Sequence, residues 1–130
     1  MARRGLARLR DDVRAAAMLL TRLPVDWALP DREDGALPNM DGAVWAYPLI
    51  GAVVGAIAAT AYALAWWLLG LPLVAALLAL VATVMATGCF HEDGLADVAD
   101  GLGGGHTKDK KLEIMRDSRI GTYGTVAVVL

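Results

Sequence analysis

GAVWAYPLIGAVVGAIAATAYALAWWLLGLPLVAALLALVATVMATGCF, from Gly42 to Phe90, decides the fold, because it contains no charged side chain. Gly70, Leu71 and Pro72 break this tract near its middle, as a tight turn requires. Each half is long enough to cross the hydrocarbon of a bilayer as a helix. We therefore predict an all-α, polytopic integral membrane protein in which residues 43–69 and 73–90 form two transmembrane helices.

The composition agrees with a membrane protein. Of the 130 residues, 57% are hydrophobic and only 20% are charged, and the mean hydropathy is +0.50. A soluble domain of this size is usually less apolar. The net charge is -2, with the arginines segregated at the N-terminus, and nucleic acid is an unexpected partner.

Arginines dominate the segment that precedes the apolar tract. Residues 1–23 hold six arginines against two acids, and their apolar run is too short to span a membrane. We predict an amphipathic helix that lies in the headgroup layer, contacts anionic lipids and marks the cytoplasmic side. The alternative is a solvated helix packed on the rest of the protein. Residues 24–41, rich in proline and acidic side chains, are predicted to form a loop.

A small-residue pattern lies within the first predicted span. Gly51 and Gly55 form a G-x-x-x-G sequence that Ala59 continues. Such a face lets another helix approach closely, and a homo-oligomer is one form that this packing takes. The same pattern also arises by chance in spans that are rich in alanine and glycine.

The stretch that follows the apolar tract, HEDGLADVADGLGGG from His91 to Gly105, carries the candidate chemistry. Asp93, Asp97 and Asp100 are spaced i, i+4 and i+7, so a helix places all three carboxylates on one face. Like charges this close repel, whereas a divalent cation makes the same geometry favourable. We predict a metal site formed by these three residues, with Asp97 or Asp100 as the proton acceptor for an attacking hydroxyl.

Other polar residues near this stretch receive weaker predictions. His91 is either a general acid or base or a surface residue, and Glu92 points away from the shared face. A flexible turn is favoured over a phosphate-binding loop for the glycines 103–105. Arg116 and Arg119 suit the outer oxygens of a di- or triphosphate bound with the metal.

The hairpin gives the expected topology. Two spans return the chain to the side on which it started, so residues 91–119 are predicted to be a cytoplasmic active-site segment. Residues 108–120 read as a short amphipathic helix. Residues 120–130 are apolar but too short to cross a bilayer, and they are predicted to begin a third span, in the N-terminal part of a longer protein.

Four separated stretches resemble the cobalamin synthase family, the adenosylcobinamide-GDP ribazoletransferases. They are TRLPV at 21–25, YPLIGAVVG at 47–55, FHEDGLADVADG at 90–101 and LEIMRDSRIGT at 112–122. The last two are long and specific. The family motif falls on His91, Asp93, Gly94, Asp97, Asp100 and Gly101, and then on Arg116, Asp117, Ser118 and Arg119.

The resemblance implies a multi-pass, all-helical enzyme of the inner membrane. Its partners would be adenosylcobinamide-GDP and α-ribazole or α-ribazole 5'-phosphate, and Mg²⁺ would be its cofactor. A ribose hydroxyl would attack the phosphoryl group attached to adenosylcobinamide and expel GMP. Arg116, Asp117, Ser118 and Arg119 would bind substrate phosphate.

Two other functions are weighed against this one. A CDP-alcohol phosphotransferase also uses Asp-rich helices, but Asp97 and Val98 stand where its D-G-x-x-A-R opening has alanine and arginine. A non-catalytic transporter of divalent cations would carry its acids inside a span near the midplane, whereas here they follow the apolar tract.

Overall fold

A computed structural model of the chain describes residues 2–25 and 40–130, and no strand occurs in those ranges. The prediction of an all-helical fold is confirmed there. The chain divides into two compact units, Met1–Gly88 and Cys89–Leu130. Most of the predicted loop at 24–41 lies outside the described residues.

Within its described residues, the first unit holds three α-helices and one 3-10 turn. Helix α1 is Ala2–Leu20, the 3-10 turn is Val44–Ala46, α2 is Tyr47–Leu69 and α3 is Pro72–Thr87. Gly70 ends α2 in the left-handed conformation, and its N–H donates to Trp66 O at 2.8 Å. Pro72 then begins α3, where a missing N–H costs nothing. The turn between the predicted spans 43–69 and 73–90 therefore lies at Gly70 and Pro72, as predicted.

The two hairpin helices turn most of their large apolar side chains outward. Trp67 is 81% exposed and Met85 is 73% exposed. Val44–Leu69 is long and apolar enough to cross a membrane, yet only 11% of its most apolar 18-residue window is buried. A core helix of a soluble protein would be mostly buried, so this surface suits lipid or further helices. Within the described ranges, Pro72–Thr87 becomes a second candidate membrane span only when it is counted together with the next helix, Phe90–Gly104.

Helix α1 packs on the start of α2 through small side chains. Ala15, Ala16 and Ala17 are buried against Ala46 and Ile50. Trp45 Nε1 adds a hydrogen bond to Asp12 Oδ2 at 2.9 Å. Part of α1 is thus packed on the protein, as the alternative interpretation expected. Its predicted contact with lipid headgroups stays a prediction.

The G-x-x-x-G face of α2 is open. A side chain added at Gly51 or Gly55 would meet no described atom within 4 Å. The predicted packing of a second helix on this face therefore stays a prediction.

The second unit holds three shorter helices. Helix α4 is Phe90–Gly104, α5 is Lys108–Ile114 and α6 is Thr122–Val129. The amphipathic helix expected at 108–120 ends earlier, at Ile114. Asp117 N donates to Ile114 O at 3.0 Å, and the Asp117 side chain accepts from Arg119 N at 3.1 Å. These local turn bonds compete with a continued helix.

Candidate active site

The candidate active site is a cavity between α4 and the segment that joins α5 to α6. Its volume is about 270 Å³. Helix α4 contributes Asp93, Ala96 and Asp97 to the lining, and the connecting segment contributes all of residues 115–120. Two chain segments separated by the whole of α5 thus supply the two walls of one site.

Asp93 and Asp97 reach the same cavity because they lie one helical turn apart. Asp93 is exposed and Asp97 is half-buried. They are four residues apart on α4, which continues without interruption through both, so their side chains lie on the same face of the helix. The structure therefore brings together two of the three aspartates proposed as metal ligands.

Asp100 is placed differently. It is 8% exposed, and it does not line the cavity. Its Oδ2 accepts from Gly121 N at 2.6 Å, and its Oδ1 accepts from Gly124 N at 2.8 Å. Both carboxylate oxygens are thus occupied by backbone donors at the start of α6.

His91 also lies apart from the cavity lining. Its side chain is exposed, and its ring meets that of Phe90 edge to face, with centroids 5.5 Å apart. The half-buried Glu92 has one carboxylate oxygen, Oε2, that is shielded from solvent and accepts no hydrogen bond in the described structure. The catalytic role predicted for His91 stays a prediction.

The connecting segment supplies all four of the residues expected to bind phosphate: Arg116, Asp117, Ser118 and Arg119. Arg119 Nη2 lies 2.7 Å from Asp117 Oδ2. The hydrogen bond from the Arg119 side chain holds the pKa of Asp117 at about 2, below its ordinary 3.8. The same bond raises the pKa of Arg119. Both groups therefore remain charged at any physiological pH.

The charges of the cavity lining favour binding of a cation, and binding of an anion once the cation is present. Three carboxylates, of Asp93, Asp97 and Asp117, face two guanidinium groups, of Arg116 and Arg119. A divalent cation would change the net charge from minus one to plus one. Coulomb attraction would then draw a phosphate into the same cavity.

The number of carboxylates in the cavity suits magnesium. Within residues 2–25 and 40–130, no three His, Cys, Asp or Glu side chains gather closely enough to hold a metal by themselves. Magnesium commonly uses one or two protein carboxylates and completes its coordination with water and substrate phosphates. Asp93 and Asp97 offer that smaller number of ligands.

The glycines of α4 have a packing role that the sequence analysis missed. Gly103 and Gly104 are helical, so a flexible turn at 103–105 is not what forms. A Cβ at Gly101 would lie 2.6 Å from Met115 Cε, and one at Gly103 would lie 2.5 Å from the Tyr123 ring. These glycines let α5 and α6 approach α4 closely.

Comparison with known proteins gives the family. Residues 12–130 match the family model described as CobS, cobalamin-5-phosphate synthase. No solved structure matches the chain.

Curated relatives agree with this match. A protein of Bradyrhizobium diazoefficiens is 53% identical over 119 residues, which are 92% of this chain and 44% of the relative. One of Mesorhizobium japonicum is 53% identical over 121 residues, with the same coverage of each chain. One of Xanthobacter autotrophicus is 47% identical over 125 residues, which are 96% of this chain and 47% of the relative. All three are named adenosylcobinamide-GDP ribazoletransferase.

The chain thus spans less than half the length of these relatives, and the alignments cover nearly all of it. The resemblance of its motifs to the cobalamin synthase family is confirmed. The family match favours this interpretation over the phosphotransferase and transporter alternatives. The chain belongs to the CobS, or cobalamin-5-phosphate synthase, family.

Proposed function

We propose that the full protein joins adenosylcobinamide-GDP to α-ribazole or its 5'-phosphate and releases GMP. The observation that carries this proposal is the convergence of Asp93 and Asp97 with the segment 115–120 on one cavity. Relatives that bear the name adenosylcobinamide-GDP ribazoletransferase supply the identity of the substrates.

The chemistry proposed is displacement at phosphorus. A ribose oxygen forms a bond to the phosphorus attached to adenosylcobinamide, the bridging P–O bond breaks, and GMP leaves. A bound Mg²⁺ would neutralise the charge that develops on the phosphoryl and leaving oxygens. Catalysis of this kind depends mainly on positioning and electrostatics.

Each lining residue has a proposed part. Asp93 and Asp97 hold the cation, and Arg116 and Arg119 donate forked hydrogen bonds to phosphate oxygens. Asp97 is the better of the two proposed proton acceptors, through the oxygen that it does not offer to the cation, because both oxygens of Asp100 already accept backbone N–H groups. An acceptor must have a free oxygen within reach of the attacking hydroxyl.

The proposed setting is the inner membrane, crossed several times. The support is the helix Val44–Leu69, the apolar α3 that follows it, and the arginines of the first 23 residues, which favour the cytoplasmic side. In this proposal α4 and α5 lie at the cytoplasmic surface, and α6 begins a further span.

GMP formation tests the proposal. The full-length protein in detergent would be given adenosylcobinamide-GDP, α-ribazole 5'-phosphate and Mg²⁺, with each component omitted in turn. We expect GMP only when all three are present, and a fall of roughly a hundredfold or more in Asp93→Asn and Asp97→Asn. Asp109→Asn, an exposed carboxylate outside the cavity, is the matched control.

Two results would overturn the proposal. One is the absence of GMP from the unaltered protein with all components present. The other is undiminished GMP formation by both Asp93→Asn and Asp97→Asn.

A further inference from the structure

The carboxylate of Asp100 joins the middle of the second unit to the start of its last helix. One oxygen accepts from Gly121 N at 2.6 Å, and the other accepts from Gly124 N at 2.8 Å. Asp100 is 8% exposed. A buried carboxylate is costly unless it is hydrogen-bonded, and these two donors meet that need.

The two N–H donors lie at the start of α6, where side chains of the same helix normally accept their hydrogen bonds. Gly121 is the residue immediately before α6, and Gly124 is its third residue. In a capping box, the side chain at the position before the helix accepts from the N–H of the third helical residue. The side chain of that third residue accepts in turn from the N–H of the position before the helix. Glycine has no side chain for either task. Asp100 therefore performs both from α4, with its negative charge at the positive end of the helix.

This arrangement explains both glycines. A Cβ at Gly121 would lie 2.5 Å from Asp100 Oδ1. A Cβ at Gly124 would overlap Asp100 Oδ2 and lie 2.9 Å from Ala96 O. The carboxylate can reach the backbone of α6 only where side chains are absent.

The contact fixes one end of the segment that lines the cavity. At its beginning, the segment 115–120 is bonded to α5, for example from Asp117 N to Ile114 O at 3.0 Å. At its end, Gly121 is bonded to Asp100. Asp97 lies less than one turn before Asp100 on α4. The Asp100 contact therefore sets how closely the phosphate-binding residues face the two carboxylates of the cavity.

We infer that Asp100 is a positioning residue, which holds the segment 115–120 against α4, and that it neither binds the metal nor accepts the proton. This inference rests on the proposed function for its meaning in catalysis. It also replaces the sequence-based prediction that Asp100 completes a set of three metal ligands.

The inference can be tested by supplying the N-terminal cap of α6 from the side chain of residue 121 instead of from Asp100 on α4. The full-length protein would be compared with Asp100→Ala, Gly121→Ser and the double variant. Serine is a favourable residue at the start of a helix, and Gly121 has the extended backbone, with φ of -95° and ψ of -175°, that this position requires. A neutral serine hydroxyl is a weaker cation ligand than a carboxylate and a far weaker proton acceptor.

The three variants have opposed expected effects. Asp100→Ala should lower kcat/KM about a hundredfold, because it frees one end of the segment. Gly121→Ser alone should also be harmful, since its Cβ overlaps the carboxylate. In the double variant the overlap is gone and the hydroxyl caps α6, but no bond joins α4 to residue 121. The melting temperature should therefore recover, whereas kcat/KM should stay within about threefold of Asp100→Ala. The Mg²⁺ concentration at half-maximal rate should stay within about twofold of the parent value throughout.

Thermal unfolding separates the possible failures. A double variant that regains both the melting temperature and the kcat/KM of the parent would overturn the inference, because a cap on α6 alone would then replace Asp100 without any bond from α4. A Mg²⁺ requirement raised about tenfold in Asp100→Ala would also overturn it, because Asp100 would then be a cation ligand. If the unaltered protein forms no GMP, the proposed function fails, whereas the melting temperatures still show whether serine at 121 replaces the contact of Asp100.

A second variant decides the case in which Asp100→Ala does not fold. Asp100→Asn keeps the shape and one acceptor. A raised KM for adenosylcobinamide-GDP with an unchanged Mg²⁺ requirement supports positioning. A lost kcat contradicts it, whether the Mg²⁺ requirement is raised, as for a lost cation ligand, or unchanged, as for a lost proton acceptor.

Discussion

Arg119 binds the carboxylate of Asp117, two residues earlier in the chain, through two of its nitrogens. Nε lies 3.1 Å from Oδ1, and Nη2 lies 2.7 Å from Oδ2. The arginine side chain is 86% exposed, so the pair contributes little to stability. Its effect is to fix the plane of a guanidinium that lines the cavity. A guanidinium has five N–H donors, which leaves others for a phosphate.

Replacing Arg119 with lysine should weaken substrate binding without removing the charge. Lysine cannot form the paired hydrogen bonds of the planar guanidinium, either to Asp117 or to a phosphate. We expect the KM for adenosylcobinamide-GDP to rise about tenfold in Arg119→Lys, with a smaller change in kcat. Steady-state GMP release measures both. Arg8→Lys, an exposed change on α1, should leave both values unaltered, and an equal effect there would contradict a local role.

Asp117 should not contribute to the pH dependence of the reaction near neutrality. The hydrogen bond from Arg119 lowers its pKa to about 2. The ion pair is therefore fully formed above the ordinary pKa of 3.8, and it is lost only as the pH falls from there toward 2. Between about pH 5 and pH 8, Asp117→Asn should lower the rate by a constant factor. A pH profile of kcat/KM that changes shape in this variant would show that Asp117 titrates in the assay range.

Much of this architecture follows from local sequence patterns. The uncharged tract with Gly70 and Pro72 at its middle predicted the helical hairpin, because both residues act on the backbone within a single turn. The spacing of Asp93 and Asp97 predicted their shared cavity, since residues four apart on a helix are neighbours. Each of these inferences needed only contacts between residues close in the chain.

The placement of Asp100 needed a contact that side-chain patterns do not reveal. Its partners are backbone N–H groups 21 and 24 residues later. Helical spacing put Asp100 near the face of Asp93 and Asp97, but tertiary packing against α6 then engaged both of its oxygens. The early end of α5 has a local origin instead, because the Asp117 side chain accepts from the backbone N–H of Arg119, two residues later.

The magnesium requirement should depend on Asp97. A carboxamide is a much weaker ligand for a hard cation than a carboxylate. In Asp97→Asn, the Mg²⁺ concentration at half-maximal rate should rise about tenfold or more, whereas Asp109→Asn should match the parent. Titration of GMP release with Mg²⁺ gives this value. An unchanged requirement in Asp97→Asn would place the cation elsewhere.

Gly88 should be less tolerant of substitution than Gly70, although both end helices in the left-handed conformation. Their φ angles are +66° and +67°. A Cβ at Gly70 meets nothing within 4 Å, so Gly70→Ala should cost about 1 kcal/mol from backbone strain alone. At Gly88 the added Cβ overlaps the Arg22 side chain, with Nε at 2.7 Å, so Gly88→Ala should lower the melting temperature further. Adding Arg22→Ala should remove only the excess, and a failure to do so would mean that strain explains the whole effect.

Cysteine labelling should place α5 and the hairpin turn on opposite sides of the membrane. Cys89 is the single cysteine of this chain, so Cys89→Ser, together with replacement of any cysteine that the full protein holds outside these 130 residues, gives a background for introduced thiols. His106 and Leu71 are both exposed and lie on either side of the second predicted span. In intact cells, an impermeant maleimide should label Leu71→Cys and should label His106→Cys only after permeabilisation, because arginine-rich segments stay cytoplasmic. Labelling of His106→Cys from outside would reverse the proposed topology and separate the site from a cytoplasmic supply of nucleotide.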